Sequence, residues 1–162
     1  MVLIYPTAKL AAKLGAQPTS FDFKSSTKLG GWYASNFTVG NTQLILGVCE
    51  NSRLGVVIAA APYASFPERL VAELAIVLTA LGASPAAVAG ELQSMGTLLL
   101  AKHHNRSVLG TINEYIFQIE ACHDLNRSAL KNLTSVSLML SEIPHVKLGI
   151  FSDRETLRLL SA

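Results

Sequence analysis

The chain has 162 residues, of which 50% are hydrophobic and 15% are charged, and its formal net charge is +2. A chain of this length and apolarity forms one domain with a substantial core, predicted over residues 1–162, and its composition excludes a wholly disordered protein. The charge is nearly balanced and forms no basic stripe, which argues against a nucleic-acid-binding protein, because such proteins neutralise phosphates with Lys and Arg.

The first part of the chain predicts a strand, a short helix and three further strands. Pro6 suits the first turn of the helix and Gly15 suits its end. A polar loop of about fifteen residues follows, a length that is often functional. Two apolar runs then flank Gly40-Asn41, a pair typical of a tight hairpin turn, and a third run completes three consecutive antiparallel strands. The predicted strands are residues 1–5, 32–39, 42–50 and 54–61.

The second part predicts helices separated by one strand. Ser65 and Glu68 have the spacing of a capping box, and Gly82 suits a helix end. The predicted elements are helices 66–82, 85–95, 107–121, 128–140 and 153–161, and a strand at 97–102. This order predicts an α+β fold, in which a mostly antiparallel sheet of four or five strands packs against a helical layer.

Membrane insertion and secretion find no support in the sequence, although the mean hydropathy is +0.38. The longest apolar window is interrupted by Glu73 and is shorter than the roughly 20 residues that a spanning helix needs. The N-terminus has no basic region and no cleavage site, so no signal peptide is expected. Cys49 and Cys122 form no CxxC pair, which predicts reduced thiols and no cysteine-bound zinc. We therefore predict a cytoplasmic protein without a membrane span.

The tripeptide Asn-Arg-Ser occurs twice, at residues 105–107 and 126–128, each time before an amphipathic segment. Asn and Ser are favoured helix N-caps, because their side chains accept hydrogen bonds from the exposed amides of the first turn. The recurrence predicts two similar helix starts.

The helix after the first Asn-Arg-Ser has two distinct faces. Its core stripe consists of apolar residues, namely Val108, Ile112, Tyr115 and Ile119. The second face carries Arg106, Gly110, Asn113 and Phe117. Glycine costs about 1 kcal/mol in a helix relative to alanine, so Gly110 indicates either a closely packed neighbour or the flat floor of a site. The second interpretation predicts that Arg106, Ser107, Gly110 and Asn113 bind a carboxylate, a phosphate or a peptide end, with the Arg106 guanidinium fixed by at least two hydrogen bonds.

The segment "NRSVLGTINEYIFQIE" resembles the signature of an uncharacterised bacterial family annotated only as a domain of unknown function. That signature runs (Asn/Asp)-Arg-Ser-Val-Leu-Gly-(Ser/Thr)-(Met/Ile)-Asn, and the similarity extends to "TAKLAAKLG", "WYASNF" and the tail "LSEIPHVKLG…DRETL". The chain departs from it at Ser141, where Asn is usual, and at Asp153 or Arg154, where Pro is usual. The resemblance implies a shared fold and implies no activity.

The histidines provide a second possible chemistry. His103 and His104 are adjacent at the end of a strand, so their side chains point to opposite faces, and none of the four histidines shows HExxH or HxH spacing. We therefore predict no metal site and no cofactor. His103 or His104 could still act as a general base beside Arg106, as in small RNase-like enzymes, where arginine binds the phosphate.

These observations favour a binding or protein-interaction domain with its recognition surface near residues 103–113. The partner would be an unknown protein or a small anionic ligand. The alternative is a small hydrolase or RNase-like enzyme that uses His103 or His104 with Arg106, so enzymatic activity stays open. We also predict a homodimer, because helices 66–82 and 128–140 carry apolar residues beyond one core stripe, namely Val71, Ile76, Leu78, Leu138 and Met139.

Overall fold

The computed structural model describes residues 1–102 and 105–162. The strands are β1 (Val2–Pro6), β2 (Trp32–Val39), β3 (Thr42–Cys49), β4 (Gly55–Ala59), β5 (Leu98–Leu100), β6 (Pro144–His145) and β7 (Ile150–Phe151). The helices are α1 (Ala8–Leu14), α2 (Phe66–Ala80), α3 (Pro85–Met95), α4 (Arg106–Leu125), α5 (Leu133–Ser141) and α6 (Ser152–Ser161). Within the described ranges, no helix is long and apolar enough to cross a membrane.

The main sheet has five strands in the order β4-β3-β2-β1-β5. Strand β3 runs antiparallel to β2 and β4, whereas β1 runs parallel to both β2 and β5. The predicted α+β class is confirmed, and the sheet is mixed and not purely antiparallel, because β1 pairs in parallel with both of its neighbours. Two consecutive strands can pair in parallel only if the chain returns to the end of the sheet where the first strand began. Helix α1 and the loop after it make this return between β1 and β2. The short β6–β7 hairpin, residues 144–151, forms a separate sheet that the sequence did not predict.

Both faces of the main sheet are buried by helices. Side chains alternate along a strand, so Val2 and Ile4 face the core formed with α1, α2, α3 and α6, whereas Leu3 and Tyr5 face the core formed with α4 and α5. Burial on both faces explains why these strands are nearly continuous apolar runs in the sequence.

Most of the predicted helix termini form as expected. Gly15 ends α1 in the left-handed conformation, at φ 62°, and its N–H donates to helical carbonyls. Ser84 caps α3 by accepting from the Ala87 N–H. Asn105 caps α4, because its Oδ1 accepts from the N–H groups of the next turn at 3.0 and 3.3 Å. The capping box at Ser65 does not form, because the Ser65 hydroxyl donates to the Pro62 carbonyl instead.

The second Asn-Arg-Ser does not begin an α-helix. Asn126 accepts from the Ser128 N–H, but the turn that follows is a short 3-10 helix at Ala129–Lys131. Helix α5 begins only at Leu133, where the Asn132 side chain caps it. The predicted helix 128–140 is therefore wrong in its first five residues, because a second capping asparagine lies inside it.

The ends of β1 and β5 set the position of the candidate site. These neighbouring parallel strands both end at the same edge of the sheet, yet the chain leaves them toward opposite faces. After β1 it enters α1, whose Leu10 joins the core of one face, and after β5 it reaches α4, whose Val108 joins the core of the other. In sheets with parallel strands, such a divergence opens a crevice at the carboxyl ends of the strands, where ligands commonly bind.

Candidate functional site

A cavity of about 890 Å³ lies at this divergence. It is bordered by residues 6–8 after β1, by Ala101 and Lys102 after β5, and by Leu109 of α4. We call it the switch-point cavity. Its size lies within the range of about 300–1,000 Å³ that is typical of small-molecule sites.

A second cavity, of about 590 Å³, adjoins the first. The two cavities share Tyr5, Ala101 and Lys102 in their walls. The second cavity is the more charged of the two. Its charged residues are Asp22, Lys24, Glu50, Arg53 and Lys102. We call it the Arg53 cavity, because this arginine sets its electrostatics.

Arg53 is a buried cation without an ionic partner among the described residues. Only 7% of the residue is exposed. Its guanidinium donates to the Glu50 carbonyl oxygen and, at 3.1 Å, to Ser107 Oγ, whereas its buried Nε finds no acceptor within residues 1–102 and 105–162. No carboxylate oxygen of those ranges lies within 4.0 Å of it. Buried charges in proteins are normally paired with a counterion, so the absence of a described carboxylate here is unusual.

The backbone holds Arg53 in an uncommon conformation. Its φ is 62°, in the left-handed region that non-glycine residues rarely adopt, within the turn that joins β3 to β4. Two hydroxyls fix the Arg53 carbonyl oxygen: Tyr115 donates at 2.7 Å and Ser152 at 3.1 Å. Such strain persists where the surroundings over-determine it, often at functional sites. Helices α4 and α6 thus hold the turn that presents the guanidinium.

Two tyrosines and a glutamate stand beside this cation. Tyr5 and Tyr33 are register partners on β1 and β2, and their ring centroids are 4.7 Å apart. Burial, with the nearby Glu50 carboxylate, raises the pKa of Tyr5 to about 12. The same two causes raise the pKa of Tyr33, while Arg53 lowers it in part. Both phenols are therefore neutral near pH 7 and can donate a hydrogen bond. Glu50 is oriented by the Gly31 N–H, which donates to its Oε2 at 2.8 Å.

The residues predicted from the sequence lie mainly at a different cavity. Arg106, Ser107 and Gly110 line a space of about 610 Å³ between α4 and the β6–β7 hairpin, and Asn113 is not in its wall. Ser107 links the two regions, since its Oγ accepts from Arg53. We call this space the hairpin cavity. The structure brings three of the four predicted residues together, and their binding role stays a prediction.

Two finer expectations about this face are not met. Arg106 is exposed, and its side chain makes no hydrogen bond or ion pair with the described residues, whereas at least two were expected. A Cβ added at Gly110 would have no described atom within 4 Å, so the interpretation of Gly110 as a closely packed position is wrong. His103 and His104 lie outside the described residues, and their predicted catalytic role stays untested.

Sequence reasoning missed Arg53, Tyr5, Tyr33 and Glu50. The segment "ENSR" indicated only a turn, because charged residues in turns are usually solvated. The tyrosines are neighbours only because β1 and β2 are parallel, which the apolar pattern does not encode. The signal that was available is the position of Glu50 directly after a buried strand, where polar side chains commonly serve a site.

Within the described ranges, no group of three or more His, Cys, Asp or Glu residues is arranged to hold a metal ion. Cys49 and Cys122 are free thiols, and burial raises the pKa of the Cys49 thiol.

Comparison with known proteins supports a single assignment. A family model described as Domain of unknown function (DUF6933) matches residues 3–154, nearly the whole chain. No curated protein and no solved structure matches this chain.

Proposed function

This chain belongs to the DUF6933 family, a domain of unknown function, and we propose that it binds a small anionic ligand in the Arg53 cavity and the adjoining switch-point cavity. The Arg53 cavity reaches the start of α4 through Asn105, next to the recognition surface predicted from the sequence near residues 103–113, whose Arg106, Ser107 and Gly110 line the hairpin cavity. The observation that carries the proposal is the burial of Arg53 in the wall of the Arg53 cavity. No carboxylate oxygen of the described residues lies within ion-pair distance of its guanidinium.

The charge around the cavity supports an anion. Three cations and two carboxylates of the described residues line the Arg53 cavity, and together they carry a charge of +1. Taking an ion out of water costs several kcal/mol unless a counterion compensates it. A bound anion would supply that compensation. Truncation of one member of a buried charged pair costs about 2–5 kcal/mol, so Arg53→Met should weaken binding by at least about 30-fold.

Acetate is a suitable minimal probe. We expect a titration with sodium acetate, at constant ionic strength maintained with sodium chloride, to shift the amide NMR signals of residues 50–54 and 105–109 saturably. Arg53→Met should abolish these shifts. Lys102→Met alters an exposed residue that borders both cavities, and it should weaken binding without unfolding the chain if Arg53→Met proves too unstable to study.

Two matched variants locate the anion. Arg106→Met and Arg127→Met remove the same charge from exposed positions outside the Arg53 cavity. Both should retain the acetate response. Loss of the response in Arg106→Met, with retention in Arg53→Met, would place recognition at the hairpin cavity and refute the proposal.

Glu50 favours a second candidate function, that of a small hydrolase. One of its carboxylate oxygens is held by Gly31 N–H, and the residue is partly exposed in the wall of the Arg53 cavity. A carboxylate so placed could take a proton from an attacking water. Hydrolysis of an RNA oligonucleotide or of a p-nitrophenyl ester that Glu50→Gln abolishes would support this candidate, and activity unchanged in Glu50→Gln would exclude it.

Self-association is a separate part of the proposal. Ile76 of α2 is 53% exposed and Phe117 of α4 is 65% exposed. Leu78 was also predicted as an apolar residue beyond the core stripe of its helix, and it is buried. The proposed contact with a second copy is through Ile76 on α2, where excess apolar residues were predicted, since Phe117 lies on α4, which covers the opposite face of the sheet. Light scattering that shows only a 17.3 kDa species at micromolar concentration would refute the dimer.

A further inference from the structure

We infer that the ligand is a monocarboxylic acid with an apolar aliphatic or aryl body, and this inference rests on the proposed anion site. Its carboxylate would lie in the Arg53 cavity and its body in the switch-point cavity. The two cavities share Tyr5, Ala101 and Lys102 in their walls, and we place one molecule across this shared border.

The walls of the switch-point cavity suit an apolar body. Helix α1 and the residue pair after it contribute small side chains, namely Ala8, Ala11, Ala12 and Ala16. Pro6, Pro18 and Leu109 add further apolar surface, and among the residues that the structure describes, the ionisable side chains in the wall are the two neutral tyrosines and Lys102. Four alanines on one wall leave the space that larger side chains would fill. Thr7 and Gln17 are the uncharged polar side chains that the described wall offers besides the tyrosines, so most of a ligand body there would contact apolar surface and a polar body would leave water with few new hydrogen-bond partners.

The charge of the Arg53 cavity selects a monoanion. Within residues 1–102 and 105–162, its cations exceed its carboxylates by one, since Lys24, Arg53 and Lys102 oppose Asp22 and Glu50. A carboxylate with one negative charge balances this excess. A phosphate ester that carries nearly two charges at pH 7 would leave surplus negative charge beside Glu50. The planar guanidinium also matches the geometry of a carboxylate.

Binding should therefore depend on both ends of the ligand. Each methylene buried in the switch-point cavity should tighten binding by about fourfold. We expect calorimetric titrations with butanoate, hexanoate and octanoate to show this increase. Octanol lacks the carboxylate and inorganic phosphate lacks the body, so both should bind at least tenfold more weakly than octanoate.

One substitution tests the body separately from the anion. Ala12 is exposed on α1 and borders the switch-point cavity, so Ala12→Phe should fill part of it without disturbing the core. This variant should lose the dependence on chain length and keep the acetate response. Ala89→Phe is the matched control, because Ala89 is an exposed alanine on α3 that does not border the cavity.

The outcomes separate the two proposals. Equal affinities for butanoate and octanoate, together with an acetate response that needs Arg53, would overturn the apolar body and leave the anion site standing. Phosphate binding tighter than octanoate would overturn the carboxylate class. Absence of any response to acetate and to octanoate would overturn both proposals.

Discussion

Replacement of Gly110 by alanine should stabilise the protein. Gly110 lies inside α4, and an added Cβ would meet no described atom within 4 Å. The substitution therefore removes the helix penalty of glycine, about 1 kcal/mol, without a steric cost. For a chain of this size, that gain corresponds to a rise in melting temperature of about 2–4 °C.

Gly55→Ala supplies the opposite case. Its Cβ would lie 2.9 Å from Cε2 and 3.0 Å from Cδ2 of the buried Tyr115 ring, so overpacking should remove about 1–3 kcal/mol. Urea denaturation followed by the fluorescence of Trp32, the single and fully buried tryptophan, measures both changes. Gly110→Ala should also keep the acetate response, since Gly110 does not border the Arg53 cavity. A destabilised Gly110→Ala would refute this reasoning, because it would mean that a second molecule packs against this face.

Three further predictions concern buried polar groups. Tyr115→Phe removes the hydroxyl that donates to the Arg53 carbonyl oxygen, and we expect urea denaturation to show a loss of about 1–3 kcal/mol. Burial lowers the pKa of His145 below its usual 6.5, so the folded protein binds fewer protons than the unfolded chain. The free energy of unfolding should be highest above about pH 6.5 and fall as the pH decreases toward the folded-state pKa of His145. His145→Gln should flatten that part of the profile of melting temperature against pH. An unchanged slope would contradict the assignment of this pH dependence to His145. Glu91 is 3% exposed and accepts from the Leu29 N–H at 3.1 Å and from a second backbone amide. Glu91→Ala should therefore lower the free energy of unfolding by about 2–4 kcal/mol in thermal or urea denaturation. Glu91→Gln should lower it clearly less.

The sequence predicted the elements better than their arrangement. The hairpin of β2 and β3 was predicted within one residue, because Gly40-Asn41 marks its turn and the flanking runs are apolar. The direction of β1 was missed, because an apolar run of five residues pairs equally well in either orientation. That direction depends on the path of α1 and the loop after it, which is a tertiary property.

Some features of the candidate site could likewise be predicted from the sequence, and others could not. The start of α4 could be inferred, because Asn105 has the chemistry of an N-cap, whereas the recognition surface near it stays a prediction. The burial of Arg53 could not be inferred, because an arginine in a four-residue turn is normally solvated. Its burial follows from Tyr115 and Ser152, which are distant in sequence and hold its carbonyl oxygen.

The most direct test of the anion site is a crystal structure of the protein with 4-bromobenzoate, whose bromine can be located by anomalous scattering. The account predicts the carboxylate within hydrogen-bonding distance of Arg53 or Lys102, with the bromine between α1 and Leu109 in the switch-point cavity. A carboxylate bound at Arg106 in the hairpin cavity, with no ligand beside Arg53, would contradict it.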